Sequence, residues 1–311
     1  FLMGAFATGF LLFGIALIYG STGSFDVHVI NTFSVANPKD LMFVMGIMLM
    51  LVAMAFKVSL APFHMWSPDV YQGAPSLITA FMASVVKIAA FFAFFKVMNL
   101  AFAGSIKEWI NILGVLVIIT LLLANAMGLA QTNAKRMLAY SSVSHAGYLG
   151  LIFFGANSLS VYNLAFYLFA YSLATVGVFM TLIWVEKLKR ETSFEAFKGL
   201  AKSEPLLAVV TAVSLLSMAG IPLTAGFVAK FNIFAQAMNG AAFLVLIAVL
   251  GSALSIAYYL KLIISMFFHT ETTFKSSEKV SITYNIIAVF IIVAILAIGI
   301  YPDLFKVQFG L

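Results

Sequence analysis

An α-helix needs about 20 apolar residues to cross a bilayer's hydrocarbon layer, and inside lipid only a helix or a closed barrel satisfies its own backbone. From Phe1 to Ile300 the chain is written almost wholly in such runs. Roughly nine stand out: 1–20, 40–72, 75–98, 107–130, 135–155, 159–188, 204–238, 240–268 and 281–300. Composition agrees, with 63% apolar residues, 9% charged residues and a mean hydropathy of +1.10. Soluble proteins average roughly 25% charged residues, and this chain could not clothe a water-exposed surface. The sequence therefore predicts an all-α integral membrane protein, a polytopic helix bundle of about nine spans whose immediate partner is lipid. The start, Phe1-Leu2-Met3-Gly4, lies inside an apolar run without a signal-peptide layout, so the chain is expected to be part of a longer protein.

Two runs are too long for one straight span, 40–72 and 204–238, and each contains a proline, Pro62 and Pro222. A mid-helix proline removes one hydrogen bond and frees the carbonyl four residues earlier, here Val58 and Met218. Broken helices are tolerated at membrane depth only against protein or a wet cavity. Two of them in corresponding parts of a chain point to a transporter built from internal repeats. The plainer alternative is a pair of ordinary proline kinks.

Basic residues set the orientation. With the first helix running from side A to side B, side A receives Lys135, Arg136, Lys187, Lys189, Arg190, Lys198, Lys202, Lys275 and Lys279. Side B receives Lys39, Lys96, Lys107 and Lys306. Side A is thus expected to be cytoplasmic and the C-terminus to lie outside. The polar stretch from Glu186 to Glu204 reads as a solvated cytoplasmic connection. A net charge of +6 spread in this way does not suggest nucleic acid.

The remaining basic residues, Lys57, Lys87, Lys230 and Lys261, fall inside spans. Lys87 stands 11 residues before Met98, about 16 Å along a helix, near the middle of a layer roughly 30 Å thick. Lys57 is expected to be deep if its helix continues past Pro62, and Lys230 lies well inside its run. Lys261, nearer an end, reads as snorkelling. A lysine at mid-bilayer costs several kcal/mol, so it faces a bundle interior and marks an ion or proton path, or it pins helices together. Every carboxylate lies in a loop or near a span end, so these lysines have no evident buried counter-ion.

His64 follows Lys57 by two helical turns with Pro62 between them, and His145 sits in a span rich in small hydroxyls. Each is either a proton relay or a satisfied link between helices. The absence of cysteine excludes disulfides, thiolate metal sites and iron–sulfur clusters. No phosphate loop, nucleophile elbow or metal-ligand spacing is present. No bond-making chemistry and no cofactor are expected in this chain.

Three stretches carry a resemblance: Ala55–Pro75 (AFKVSLAPFHMWSPDVYQGAP), Gln131–Tyr148 (QTNAKRMLAYSSVSHAGY) and Ala219–Phe231 (AGIPLTAGFVAKF). In content and order they resemble the antiporter-like membrane subunits of respiratory complex I. A lysine at 230 and the lack of a long lateral helix make the chain most similar to the N type in bacterial NADH-quinone oxidoreductases (NDH-1). The resemblance implies a fourteen-helix fold with two inverted repeats, each holding a broken helix. It would begin here within helix six, so that the family's essential glutamate and a lysine of that helix would lie before Phe1, and a piece of this kind should not conduct normally alone. Residues 1–98 would then be the end of the first repeat, 99–270 the second, and 271–311 the final helix and tail.

The resemblance further implies proton translocation through Lys57, Lys87, Lys230, His64 and His145, within an enzyme that reduces quinone in partner subunits. Flavin and iron–sulfur clusters would belong to those partners, and the neighbours of this chain would be other membrane-arm subunits in a bacterial inner membrane. The alternative is a subunit of a multi-subunit cation/proton antiporter. A structural subunit whose lysines only pin helices is a third reading.

Overall fold

In a computed structural model the chain is described over residues 1–269 and 280–305. Lys275, Lys279 and Lys306 of the orientation argument lie outside the described residues. The described residues form a bundle of α-helices. Seven are long and apolar enough to cross a membrane: Leu2–Thr22, Leu41–Val58, Ser76–Ala101, Ala103–Leu129, Ser160–Lys189, Ala225–Phe268 and Ile282–Ile300.

The first three helices are α1 (Leu2–Thr22), α2 (Val27–Ala36) and α3 (Leu41–Val58). α2, which lies between the first two apolar runs, starts at the Asp26 carboxylate, which accepts from the His28 amide at 2.7 Å. Asp40 caps α3 in the same way through the Phe43 amide. α4 (Trp66–Gly73) follows a break. α5 (Ser76–Phe81) and α6 (Lys87–Lys96) are joined by a π-helical turn into one rod. Then come α7 (Ile106–Leu129), α8 (Ala134–Gly150) and α9 (Ser160–Lys189). The single turn α10 (Leu200–Ser203) precedes α11 (Pro205–Ala219), α12 (Ala225–Phe268) and α13 (Ile282–Ile300).

Two differences from the expected runs stand out. α8 and α11 have only 17 and 15 residues. The runs 204–238 and 240–268 become α11, a break and one 44-residue helix bent at Ala241, where φ is −156° and ψ 50°.

Both long runs do break around their prolines, and the two breaks close alike. α3 ends at Ser59, in the left-handed region with φ 64°, and α11 at Gly220, with φ 85°. The Ser59 amide donates to the Phe56 carbonyl and the Leu60 amide to Ala55, while Gly220 donates to Ser217 and Ile221 to Leu216. This paired pattern is the Schellman closure of a helix C-terminus. Pro62 and Pro222 lie just beyond it, where no helix can resume at once.

α8 is the axis of the bundle. Most of its side chains are small or polar (Ala, Ser, Gly, His, Tyr), a composition with little reason to face lipid. All its residues except Arg136 are buried, among α4, α7, α9 and α12. The long lipid-sized helices sit outside it and expose Leu, Ile, Val and Phe, as expected where the solvent is hydrocarbon.

The 186–204 connection is not simply solvated. Ala196, Phe197 and Leu200 are fully buried, and the segment folds onto the start of α8. Backbone bonds run from Ala134 N to Thr192 O at 2.8 Å and from Phe194 N to Thr132 O at 2.9 Å. Ser265, late in α12, donates to the Phe194 carbonyl at 2.6 Å. Phe194, Phe197 and Leu200 recur at three-residue spacing, which is why this polar-looking stretch has an apolar side to bury.

Candidate functional site: a polar string along the central helix

Three side chains of α8, Ser142, His145 and Tyr148, stand at successive helical turns on one face, over about 9 Å. Each meets a different part of a line of buried polar groups.

At the first, Lys87 is only 6% exposed. Its ammonium donates to the Ser142 hydroxyl at 2.6 Å and to the Ser142 carbonyl, and it lies 5.2 Å over the Tyr171 ring. Tyr71 of α4 adds its hydroxyl 3.4 Å from the same Ser142 oxygen. At the centre is His145, whose Nδ1 is 2.8 Å from the Tyr167 hydroxyl and whose Nε2 is 3.4 Å from that of Tyr259. The Tyr259 hydroxyl in turn meets Ser141 at 2.5 Å. The imidazole packs on the Tyr171 ring, centroids 4.6 Å apart, and edge-on to Tyr148.

At the third position Lys230 lies 4.6 Å over the Tyr148 ring. Its ammonium reaches back across the second break to the Ala219 carbonyl, at the C-terminal end of α11, at 2.9 Å, and to the Ser252 hydroxyl at 2.8 Å. Helix C-termini carry partial negative charge, so a cation is favoured there. Gly220 makes this possible. A Cβ at that position would fall 2.9 Å from Lys230 Cδ.

Beside His145 lies a cavity of about 10 Å³, lined by Tyr167, Tyr171, Ser217 and Gly226 among others. That is room for about one water between the histidine and the second break. Lys87 and Lys230 pair with no carboxylate among the described residues; aromatic faces, hydroxyls and carbonyls surround them instead. Groups of this kind hold a cation when it is charged and leave an amine tolerable when it is not. Among the described residues no three His, Asp or Glu side chains gather to hold a metal ion.

The other predicted residues lie elsewhere. Lys57 is not buried within these residues. It sits in the last turn of α3, exposed, on the wall of a cavity of about 810 Å³ that it shares with Met3, Phe56, Trp66, Asp69 and Val86. Depth along a helix gave no information on the direction of its side chain. His64, in the first break, is 3% exposed, and its Nδ1 has no hydrogen-bond partner among the described residues. Pro62 and Pro222 lie in the two non-helical segments. Lys261 donates to the Leu129 carbonyl at 2.5 Å, at the C-terminal end of α7.

Sequence reasoning missed the hydroxyls of Tyr71, Ser142, Tyr167, Tyr259 and Ser252 and the ring faces of Tyr148 and Tyr171. The available signal was periodic: Ser142, His145 and Tyr148 at three-residue steps, and Tyr167 and Tyr171 four apart.

The chain belongs to the membrane-spanning family described as NADH:quinone oxidoreductase/Mrp antiporter, which matches residues 1–255. A chain named NADH-quinone oxidoreductase subunit N from Cytophaga hutchinsonii is 43% identical over 305 residues, covering 98% of this chain and 66% of that one. A chain of respiratory complex I from Thermus thermophilus is 35% identical with a TM-score of 0.79, over 98% of this chain and 66% of its own. A chain of the membrane-bound sulfane sulfur reductase, an archaeal respiratory membrane complex, is 28% identical with a TM-score of 0.87, over 98% of this chain and 62% of its own. The chain thus spans about two thirds of the length of the relatives it matches. It is a multi-pass membrane protein of that family.

Proposed function

We propose that the chain is part of a proton-translocating membrane subunit of a complex I-type quinone oxidoreductase. The observation that carries the reading is the line Lys87–His145–Lys230. Two buried amines, without carboxylate partners among the described residues, flank one imidazole whose two nitrogens each meet a tyrosine hydroxyl. Desolvated amines can exchange protons near neutrality, and an imidazole with a donor or acceptor on each nitrogen can pass one on.

In this reading quinone is reduced in partner subunits, which hold the flavin and iron–sulfur clusters. The resulting charge shift reaches this subunit through neighbouring membrane-arm subunits. It changes which amine is protonated and moves a proton between Lys87 and Lys230 by way of His145. Lys57 and His64 serve the first break, Lys57 from the wall of its cavity. Residues 1–98 close the first repeat, 99–270 form the second and 271–311 the last helix and tail. The end of the bundle holding Lys135, Arg136 and the 186–204 segment faces the bacterial cytoplasm across the inner membrane, and the C-terminus faces outside.

The test uses the full-length protein, tagged and extracted in mild detergent. Co-migration with quinone-reductase activity in a large particle supports the reading. A smaller particle without that activity favours a cation/proton antiporter instead.

A further inference from the structure

The sequence placed Lys135 and Glu186 among solvated loop charges. The structure puts them in a separate, half-buried cluster at the end of the bundle, on the same helices that hold Lys87. Lys135, in the first turn of α8, has a side chain only 3% exposed, and its ammonium lies 3.4 Å from Glu186 Oε1 of α9. It also donates to the Ala74 carbonyl, between α4 and α5, at 2.6 Å. Ser76, at the start of α5 and 4% exposed, donates its hydroxyl to the other oxygen, Oε2. The Glu186 side chain is 35% exposed. One face of this carboxylate is therefore wet, and the other is held by a buried cation and a buried hydroxyl.

The polar groups of the same neighbourhood continue inward. Thr79 lies one turn beyond Ser76 and is fully buried, donating to the Tyr71 carbonyl at 3.1 Å. The Tyr71 hydroxyl meets Ser142, and Ser142 meets Lys87. Hydrogen bonds link side chains from Tyr71 to Lys87. Between Ser76 and Tyr71 a bridging water is needed, because the Thr79 bond ends on a carbonyl.

We propose that Glu186, with Lys135 and Ser76, is the port through which protons pass between water at this end of the bundle and Lys87. The proton is taken up on the carboxylate, which becomes a neutral acid and loosens from Lys135. It is handed inward by the Ser76 hydroxyl, by water bridging Ser76 to Tyr71, and by the Tyr71 and Ser142 hydroxyls, each accepting one proton and releasing one. It ends on the Lys87 amine, leaving Glu186 a carboxylate again paired with Lys135. The inference rests on the proposed role of Lys87.

The experiment compares proton pumping per electron, quinone reduction and native-gel assembly in sealed vesicles, for the assembled complex with full-length subunit. Glu186→Gln keeps one oxygen for Lys135 and offers its amide N–H to a Ser76 hydroxyl turned to accept, but it cannot carry the proton. Relative to the unaltered complex it is expected to lower protons per electron by most of the amount that Lys87→Ala removes, with assembly preserved, and Glu186→Asp is expected to restore most of that loss. Should Glu186→Gln fail to assemble, Ser76→Ala, which leaves the ion pair in place, is expected to remove about half of that amount. An unchanged ratio in Glu186→Gln, or after failed assembly in Ser76→Ala, overturns the port. Lys87→Ala separates the two claims. If it abolishes this subunit's pumping while Glu186→Gln does not, the port alone fails. If Lys87→Ala pumps normally, the relay reading fails and the port with it.

Discussion

The two broken helices close with the same backbone pattern and then use it differently. At the first break, the lysine lies on the near side, Lys57 in the last turn of α3, exposed to a cavity with no hydrogen bond or ion pair to any described residue. At the second, the lysine comes from the far side. Lys230, two turns into α12, folds back to the terminal carbonyl of α11 and is 5% exposed. Both cations stand at the negative end of a helix. One is committed to fixed partners and the other is not. A shared backbone device therefore does not define a shared site. The side from which the amine approaches decides whether it belongs to the buried string.

The largest expected effect is at the committed lysine. Lys230→Ala in the full-length subunit should lower this subunit's proton flux on the order of tenfold or more, the scale of losing one proton-transfer group. Flux measured in sealed vesicles with assembly intact checks it, and an undiminished flux would break the contrast with Lys57. Next comes the backbone itself. Gly220→Ala places a Cβ both in the left-handed region and against Lys230. It should destabilise by about 1–3 kcal/mol, seen as a lower unfolding midpoint in detergent.

A third test addresses how the first break is tied down. The buried Ala61 amide donates to the Thr120 hydroxyl of α7 at 2.8 Å. Thr120→Val should cost about 1–3 kcal/mol by leaving that donor unpaired. Among the described residues the second break makes no such bond to α7. Its anchor is Gly226, whose amide donates to Ser217 at 3.1 Å. The smallest effect belongs to Lys57→Ala, which should change stability by less than about 0.5 kcal/mol, as for surface sites. A much larger loss would show that Lys57 has structural partners after all.

The polytopic helical class, the two interruptions and the burial of Lys87 and Lys230 were legible in the sequence, because each follows from a local rule: run length, the missing amide of proline, a charge placed far from a span end. What escaped depends on direction and on distant partners. Lys57 and Lys87 are equally charged and equally interior by counting, yet one turns outward at a helix end and the other inward after a π-helical turn. Lys135 and Glu186 are separated by 51 residues, so their pairing could not be read from two loop-like charges. The periodic Phe194, Phe197 and Leu200 could have been read as a buried edge of the 186–204 connection, but charge density masked it.

The central claim is that His145 joins the two buried amines. The most direct measurement is protons pumped per electron in vesicles holding the complex with His145→Gln. Gln can still meet hydroxyls but cannot take a proton on one side and release it on the other. A lower ratio with quinone reduction and assembly retained is the predicted result. A ratio equal to that of the unaltered complex would contradict the account.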